Sequence, residues 1–111
     1  MAVYANLLVD QGSDFTADIS VINDAGSVDI SSYTYRGQIR KTYMSSTAVD
    51  FYTSTTNPSD GQLTISLSAA QTSGMKAGRY VYDVEIVDGI GNVTRVIEGQ
   101  LEVTPRVTRS S

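Results

Sequence analysis

Hydrophobic and polar positions alternate most cleanly between Gly78 and Val103, and the rest of the chain is organised around that stretch. In its first arm Tyr80, Tyr82, Val84 and Ile86 share one face, with Arg79, Asp83 and Glu85 on the other, interrupted by Val81 and Val87. In its second arm Val93, Arg95, Ile97, Gly99, Leu101 and Val103 fall on one face, and Asn92, Thr94, Val96, Glu98, Gln100 and Glu102 on the other. A period of two residues is that of a half-buried strand, so the pattern predicts a long β-hairpin turning at Asp88-Gly89-Ile90-Gly91.

Shorter alternations precede it. Leu7-Leu8-Val9, within Tyr4 to Val9, predicts a first strand closed by a turn at Gly12, and Phe15, Ala17, Ile19 and Val21 predict the core face of a second over Phe15 to Ile22. Asn23-Asp24-Ala25-Gly26 reads as a turn, because Asn and Asp bond their own backbone and Gly takes positive φ. Val28 and Ile30 flank Asp29 in a short return segment. Tyr33, Tyr35, Gly37 and Ile39 alternate with Thr34, Arg36, Gln38 and Arg40 in a third clear strand, where Gly37 marks a bulge or a close backbone approach. After a polar loop from Thr42 to Thr47, a strand over 48–53 puts Val49 and Phe51 on one face, and Ser54 to Gly61, with Pro58 and Asp60-Gly61, is expected to be a connecting loop. Leu63, Ile65 and Leu67 alternate strictly into the core. Ser68 with Gln71 three residues on has the capping-box spacing and predicts about one turn of helix with Met75 tucked under it. Short strands separated by turn chemistry favour a two-sheet antiparallel sandwich of about seven strands over an α/β fold. The domain is expected to span 1–103, with 104–111 an exposed C-terminal tail.

Composition narrows the chemistry more than it identifies it. A chain of 111 residues is one domain, able to bury roughly two thirds of its unfolded surface. Cysteine and histidine are both absent, which removes disulfides, thiolate nucleophiles, the commonest general base and the commonest zinc ligands together. The net charge is −4 and the basic residues form no block, which weighs against nucleic acid or an anionic membrane as partner. No apolar run approaches the roughly 20 residues of a membrane span, and the start lacks a basic segment followed by an apolar one, so a soluble protein without an export signal is expected.

Candidate chemistry is sparse. Asp10 with Asp14, Asp24 with Asp29, and Asp88 are ligand types for calcium, but none has EF-hand spacing and solvated turn carboxylates are the stronger reading. Asp83 and Glu85 point the same way, as a glycosidase pair would, yet a charged outer strand face shared with Arg79 explains them better. A serine nucleophile would have only Lys41 or Lys76 as base, and neither lies in a recognisable motif. No catalytic, cofactor-binding or metal-binding residue is assigned and no cofactor is expected. Arg36, Arg40 and Lys41 beside Tyr33, Tyr35 and Tyr43 form one basic and aromatic cluster; alternation splits its Tyr and Arg faces, leaving a mixed rim suited to a protein partner more than to nucleic acid. Arg36, Arg40, Tyr43 and Tyr52 are therefore the candidate surface contacts. Tyr43 and Tyr52 with their Ser/Thr-rich loops are also what a carbohydrate or host-surface binding module would use.

Three segments carry a family resemblance: Gln11-Gly12-Ser13-Asp14-Phe15; Ser32-Tyr33-Thr34-Tyr35-Arg36-Gly37-Gln38-Ile39-Arg40-Lys41; and Leu67-Ser68-Ala69-Ala70-Gln71-Thr72 followed by Gly78-Arg79-Tyr80-Val81-Tyr82-Asp83-Val84-Glu85-Ile86. Their order resembles small structural proteins of tailed-bacteriophage virions, particularly of marine and cyanobacterial phages, over about Asn6 to Thr108. More distantly it is similar to the immunoglobulin-like N-terminal domain of phage baseplate upper proteins. The resemblance implies an immunoglobulin-like, non-enzymatic sandwich located in the virion, with other virion structural proteins as partners in a symmetric or homo-oligomeric arrangement. A tail, neck or baseplate adaptor is expected first, and a capsid decoration or cement protein second. Baseplate upper proteins continue into a shaft and receptor-binding region, whereas this sequence ends at Ser111, so the receptor-attachment role is not carried over. The expected docking elements are the tail residues Thr104, Pro105, Arg106, Val107, Thr108 and Arg109, together with Met1 to Asn6, free to pair with a partner's sheet edge.

Overall fold

The computed structural model describes residues 3–23 and 26–107. In chain order the elements are β1 (Val3–Tyr4), β2 (Leu7–Asp10), β3 (Phe15–Ser20), β4 (Ile22–Asn23), β5 (Gly26–Ser27), β6 (Thr34–Arg40), β7 (Val49–Asp50), β8 (Tyr52–Asn57), a 3-10 turn (Pro58–Asp60), β9 (Gln62–Leu67), a helical turn α1 (Ala69–Ser73), β10 (Gly78–Val87) and β11 (Val93–Thr104). One sheet has the order β1-β11-β10-β6-β7, with β2 also on β11; a second has the order β3-β9-β8; β4 and β5 make a small ribbon. Pairing is antiparallel except that β1 and β2 run parallel to β11. This is the strand order of an all-β, immunoglobulin-like sandwich, with β3-β9-β8 in the places of strands B, E and D, and β11-β10-β6 in those of G, F and C.

The core lies between the two main sheets and follows the period-2 faces. Ile19, Leu63, Ile65 and Leu67 face Ile39, Tyr82, Val84, Ile86 and Leu101, all buried. Burying one such side chain contributes about 2 kcal/mol. Gly37 is a close approach: a Cβ there would lie 3.0 Å from the Phe51 ring, which itself stands edge-on to Tyr82 at a centroid distance of 6.1 Å. Phe51 is also where the chain changes sheets. Its N–H still bonds Gly37 O in the first sheet, and from Tyr52 onward the chain pairs with β9 in the second.

Three expectations are corrected by this arrangement. The strand expected over 48–53 is split at Phe51, and Ser54 to Asn57, expected as loop, continue β8 as an edge strand of Ser and Thr before Pro58 opens the 3-10 turn. Val3–Tyr4 are not a loose arm, because they pair with Ile97 and Glu98 of β11 as an edge strand, while Met1 and Ala2 lie outside the described residues. The third correction concerns the hairpin. A β-bulge opposite Val84/Glu85 inserts Val96 between the paired residues Arg95 and Ile97, so the face of β11 switches there. Val96 turns inward and is buried, and Arg95 turns outward.

Where β9 crosses to β10 the sandwich is closed by polar side chains. Ser68 and Gln71 form the capping box, with Ser68 N–H to Gln71 Oε1 at 2.9 Å and Gln71 N–H to Ser68 Oγ at 3.2 Å. Asp14 accepts from Ala69 N–H at 2.7 Å. Thr72, fully buried, accepts from Gly12 N–H at 3.0 Å and donates to Ser13 O at 2.8 Å, while Gln11 Nε2 donates to Met75 O. Tyr80 hydroxyl donates to Lys76 O at 2.7 Å, the contact of a tyrosine corner at the start of strand F.

Candidate functional site

At the opposite end, where β3 and β10 finish and β6 and β11 begin, the seam between the sheets is left open. A groove of about 240 Å³ lies there, lined chiefly by Val3, Ile22, Val28, Tyr33, Ile86 and Val96. Three local features make it. The edge strand β1 joins only β11, so it does not cover β3. Gly99 lets β1 approach that closely, since a Cβ there would lie 2.0 Å from Ala5 O, the same carbonyl that accepts the buried Tyr82 hydroxyl at 2.6 Å. The bulge then turns Val96 into the floor of the gap.

The groove is lined mainly by apolar side chains. At it Val3 is 60% and Ile22 67% exposed, and Ile90 in the hairpin turn is exposed at the same end. Asp29, Asp60 and Asp88 lie in the loops of this end, and those loops hold no Lys or Arg among the described residues, while Arg36 and Arg95 stand just inside it, paired with Glu85, Asp83 and Glu98. Asp29 accepts from the hydroxyl and N–H of Ser31, and those two bonds hold its carboxyl below the usual carboxylate range. Asp88 accepts from Asn92 N–H at 2.9 Å, Ile90 N–H at 3.0 Å and Asn92 Nδ2 at 3.1 Å, and its carboxyl is lowered by them in the same way, the Asn92 backbone bond first. Both are therefore anionic at neutral pH, and both shape their own loops.

The outer face of the larger sheet carries a second feature, a shallow depression of about 300 Å³ with Gln38, Arg40, Tyr43, Asp83, Glu85 and Glu98 on it. Arg36 Nε meets Glu85 at 2.8 Å, and Arg95, brought outward by the bulge, meets Asp83 and Glu98, each at 3.4 Å. Burial in the sheet face, then the charges of Glu85 and Glu98, push the Asp83 carboxyl up, against the pull of Arg95 and Arg36. These carboxylates are partners in a cross-strand charge grid. The other acidic pairs noted in the sequence are likewise engaged: Asp10 accepts from Thr104 hydroxyl at 2.9 Å and Asp14 caps α1. Among the described residues no three acidic side chains converge as a cation site would require.

The predicted contact residues do not form one patch. Arg36 and Arg40 lie on the charged face, Arg40 donating to Ser45 O at 2.6 Å. Tyr43 stands exposed at that face, whereas Tyr52 lies outside the other sheet beside Asp14, Phe15 and Gln71, so the two tyrosines do not build a shared sugar platform. Thr104 is the last residue of β11, paired with Asp10, and Arg106 folds its N–H to Gln11 Oε1 at 3.4 Å and its side chain against Gly12. Pro105 and Val107 are exposed; Thr108 and Arg109 lie outside the described residues. The groove was missed because its walls come from five separated segments, and its one sequence signal, Val96 on a polar face, reads as an exception unless a bulge is assumed.

No family model matches the chain, and no curated protein matches its sequence. Among solved structures it is similar to an internalin-like protein of Listeria monocytogenes, at 19% identity and a TM-score of 0.49, over 93% of this chain and 28% of that one.

Proposed function

We propose that the chain is a non-enzymatic structural protein of a tailed-phage virion that docks on neighbouring subunits, as a tail, neck or baseplate adaptor in the first place. The virion assignment comes from the resemblance carried by Gln11–Phe15, Ser32–Lys41 and Leu67–Ile86. The docking role rests on one observation, the open apolar seam with Val3 and Ile22 exposed beside it at one end of an otherwise closed sandwich. Clustered exposed apolar side chains with a polar rim mark protein contact surfaces, and a groove of about 240 Å³ takes a side chain or two where drug-sized ligands need roughly 300 Å³ or more. The charged sheet face supports this reading, since its ion pairs are partly exposed and such pairs contribute modestly to stability.

Quantitative mass spectrometry of purified particles tests the assignment. A few copies per particle, against the major capsid protein, is the expected result; abundance on the capsid scale would favour the decoration or cement reading. Absence from particles would overturn the virion assignment.

A further inference from the structure

We infer that the free edge of β2 is a self-pairing surface: a second copy of this chain lays its own β2 antiparallel against the first, about a two-fold axis at Leu8, and the two larger sheets become continuous. The inference stands apart from the open seam and from the virion assignment. The other edges of the two main sheets are blunted in the ways edges commonly are. β7 is only Val49–Asp50. β8 breaks register between Ser54 and Asn57 and runs into Pro58. β3 carries Asp18 near its middle, so pairing it with its own copy would bring two carboxylates together. The edge made by β1 and β2 has no Pro, no Lys and no charged side chain from Val3 to Val9, and Val3, Tyr4 and Leu8 stand 60%, 64% and 63% exposed along it.

The backbone fixes which groups are on offer. Gln11 N–H bonds Thr104 O, and along a strand alternate residues turn their polar groups to the same neighbour. Leu7 and Val9 therefore serve β11, and Leu8 turns its N–H and C=O away from it. Opposite Leu8 of a second copy it can exchange both, as a hydrogen-bonded antiparallel pair does, with the two exposed side chains covering each other. The pairing is confined to Asn6–Asp10, because the chain bends at Ala5, whose carbonyl takes the Tyr82 hydroxyl, and Asn6 Oδ1 takes Gln100 N–H at 3.1 Å. Charge permits this register. Asp10 falls opposite Asn6 of the other copy, whose Nδ2 can donate to it. The two Asp10 residues, four positions apart along the strands, lie about 13 Å from each other, and the two Glu102 residues, each beside Leu8 in β11, about 14 Å. Asp10 comes no nearer than about 12 Å to Glu98 and Glu102 of the other copy. All of these exceed the Debye length of about 8 Å at physiological salt. One short strand pair buries a low-end interface, so the dimer is weak alone and is reinforced wherever copies are held side by side.

Sedimentation velocity of the purified chain up to about 1 mM, the range of weak contacts, tests this with Leu8→Pro and Leu8→Lys. Leu8→Pro removes an amide that points away from β11 and so leaves the β2 ladder intact. Leu8→Lys keeps the backbone and places like charges on both sides of the axis. Circular dichroism and melting curves that match wild type verify the fold of each, and if the proline variant unfolds the lysine variant carries the test. The wild type is expected to form a dimer and nothing larger, because a two-fold contact closes on itself, and to do so almost equally at low and high salt, because no ion pair is made. Each variant is expected to dimerise about tenfold or more weakly. The chain has no cysteine, so Leu8→Cys reports the register: mild oxidation should link two copies at position 8, where the Cα atoms lie about 5.5 Å apart, whereas Asp10→Cys, about 13 Å from its mate, should stay unlinked. A wild type that stays monomeric throughout would overturn the inference. So would association that Leu8→Lys leaves unchanged, or association that runs past the dimer. None of these results bears on the particle count, so this inference and the virion assignment fail separately.

Discussion

At the end closed by α1, Thr72 is fully buried with its hydroxyl satisfied on both sides, and Gln11, Asp14 and Gln71 tie the neighbouring loops to it. At the hairpin end, Val3 and Ile22 stand in solvent and the groove between them reaches Val21 and Val96 at the margin of the core. The sheets, their spacing and the alternation of their faces are common to both ends. What differs is whether the loops supply polar side chains that can satisfy one another across the seam. The closed end has them in Gln11, Asp14, Ser68, Gln71 and Thr72. The loops of the open end join one another through the backbone, Val21 N–H to Gly61 O and Ile30 N–H to Pro58 O, and spend their carboxylates within single loops, Asp29 on Ser31 and Asp88 on Asn92 and Ile90. Backbone bonds between loops leave the apolar side chains of the seam uncovered, with Val3 and Ile22 exposed.

The largest effect is expected where the closed end is broken. Thr72→Ala leaves the Gly12 N–H and Ser13 carbonyl without their partner and opens a small void, and should cost about 2–3 kcal/mol in urea unfolding with an unchanged m-value. Thr72→Val keeps the volume and should cost nearly as much; a loss under about 0.5 kcal/mol would mean that this hydroxyl does not hold the end together. Next is Tyr82→Phe, which deletes the bond to Ala5 O that anchors the chain between β1 and β2, at about 1–1.5 kcal/mol. Its pH dependence is separable. Burial, and then Tyr4, push the Tyr82 phenol up to about 12 from an ordinary 10.0. A raised folded value favours the neutral form, so this stability is complete below pH 10 and is lost as pH rises through about 12. The gap between wild type and Tyr82→Phe should therefore narrow over that window and stay constant below it.

The same contrast explains how much was legible in the sequence. The hairpin, the core faces of β3, β6 and β9, and the capping box with Met75 beneath it follow from period and local spacing, because each is decided within a few residues. The sheet change at Phe51 and the strand character of Ser54 to Asn57 did not, since Thr and Ser alternating with one another leave no apolar face to read. The bulge at Val96 was hidden for a related reason: one inserted residue reverses every later assignment of face, and only the pairing of Val84 with Ile97 and Glu85 with Arg95 reveals it. The groove depended on all of these at once. Of the predicted contact residues, Arg36, Arg40 and Tyr43 share one sheet face and Tyr52 lies outside the other, a division that alternation alone could not show because the loops carrying the tyrosines have no period to read.

Smaller effects sharpen the comparison. Ser68→Ala removes one half of the capping box and should lower stability by about 1 kcal/mol, as N-cap losses do, while leaving the open end and any self-association unaltered. On the charged face the sign reverses. Because the folded Asp83 carboxyl is raised, its ionised form is disfavoured by folding; the favourable contribution is complete below the ordinary value of 3.8 and is lost as pH rises through the folded value. Asp83→Asn should then match or slightly exceed wild type at neutral pH, by no more than about 0.5 kcal/mol given the exposure and the lost partner of Arg95, and the difference should vanish in acid.

Smallest of all should be Ile22→Ser. In a closed core, removing an isoleucine side chain costs several kcal/mol, because transfer energy and a cavity are both lost. Ile22 is 67% exposed, so most of that area is already in water and nothing collapses around the gap; the change should stay within about 0.5 kcal/mol by thermal or urea unfolding. A markedly larger loss would show that the chain itself uses Ile22 as core, and the end would then be closed in a way that leaves no surface for a partner. An unchanged melting curve together with lost incorporation into particles would separate the two kinds of apolar residue in this fold: those the sheets bury for their own stability, and those held in place at the hairpin end for contact with a second molecule.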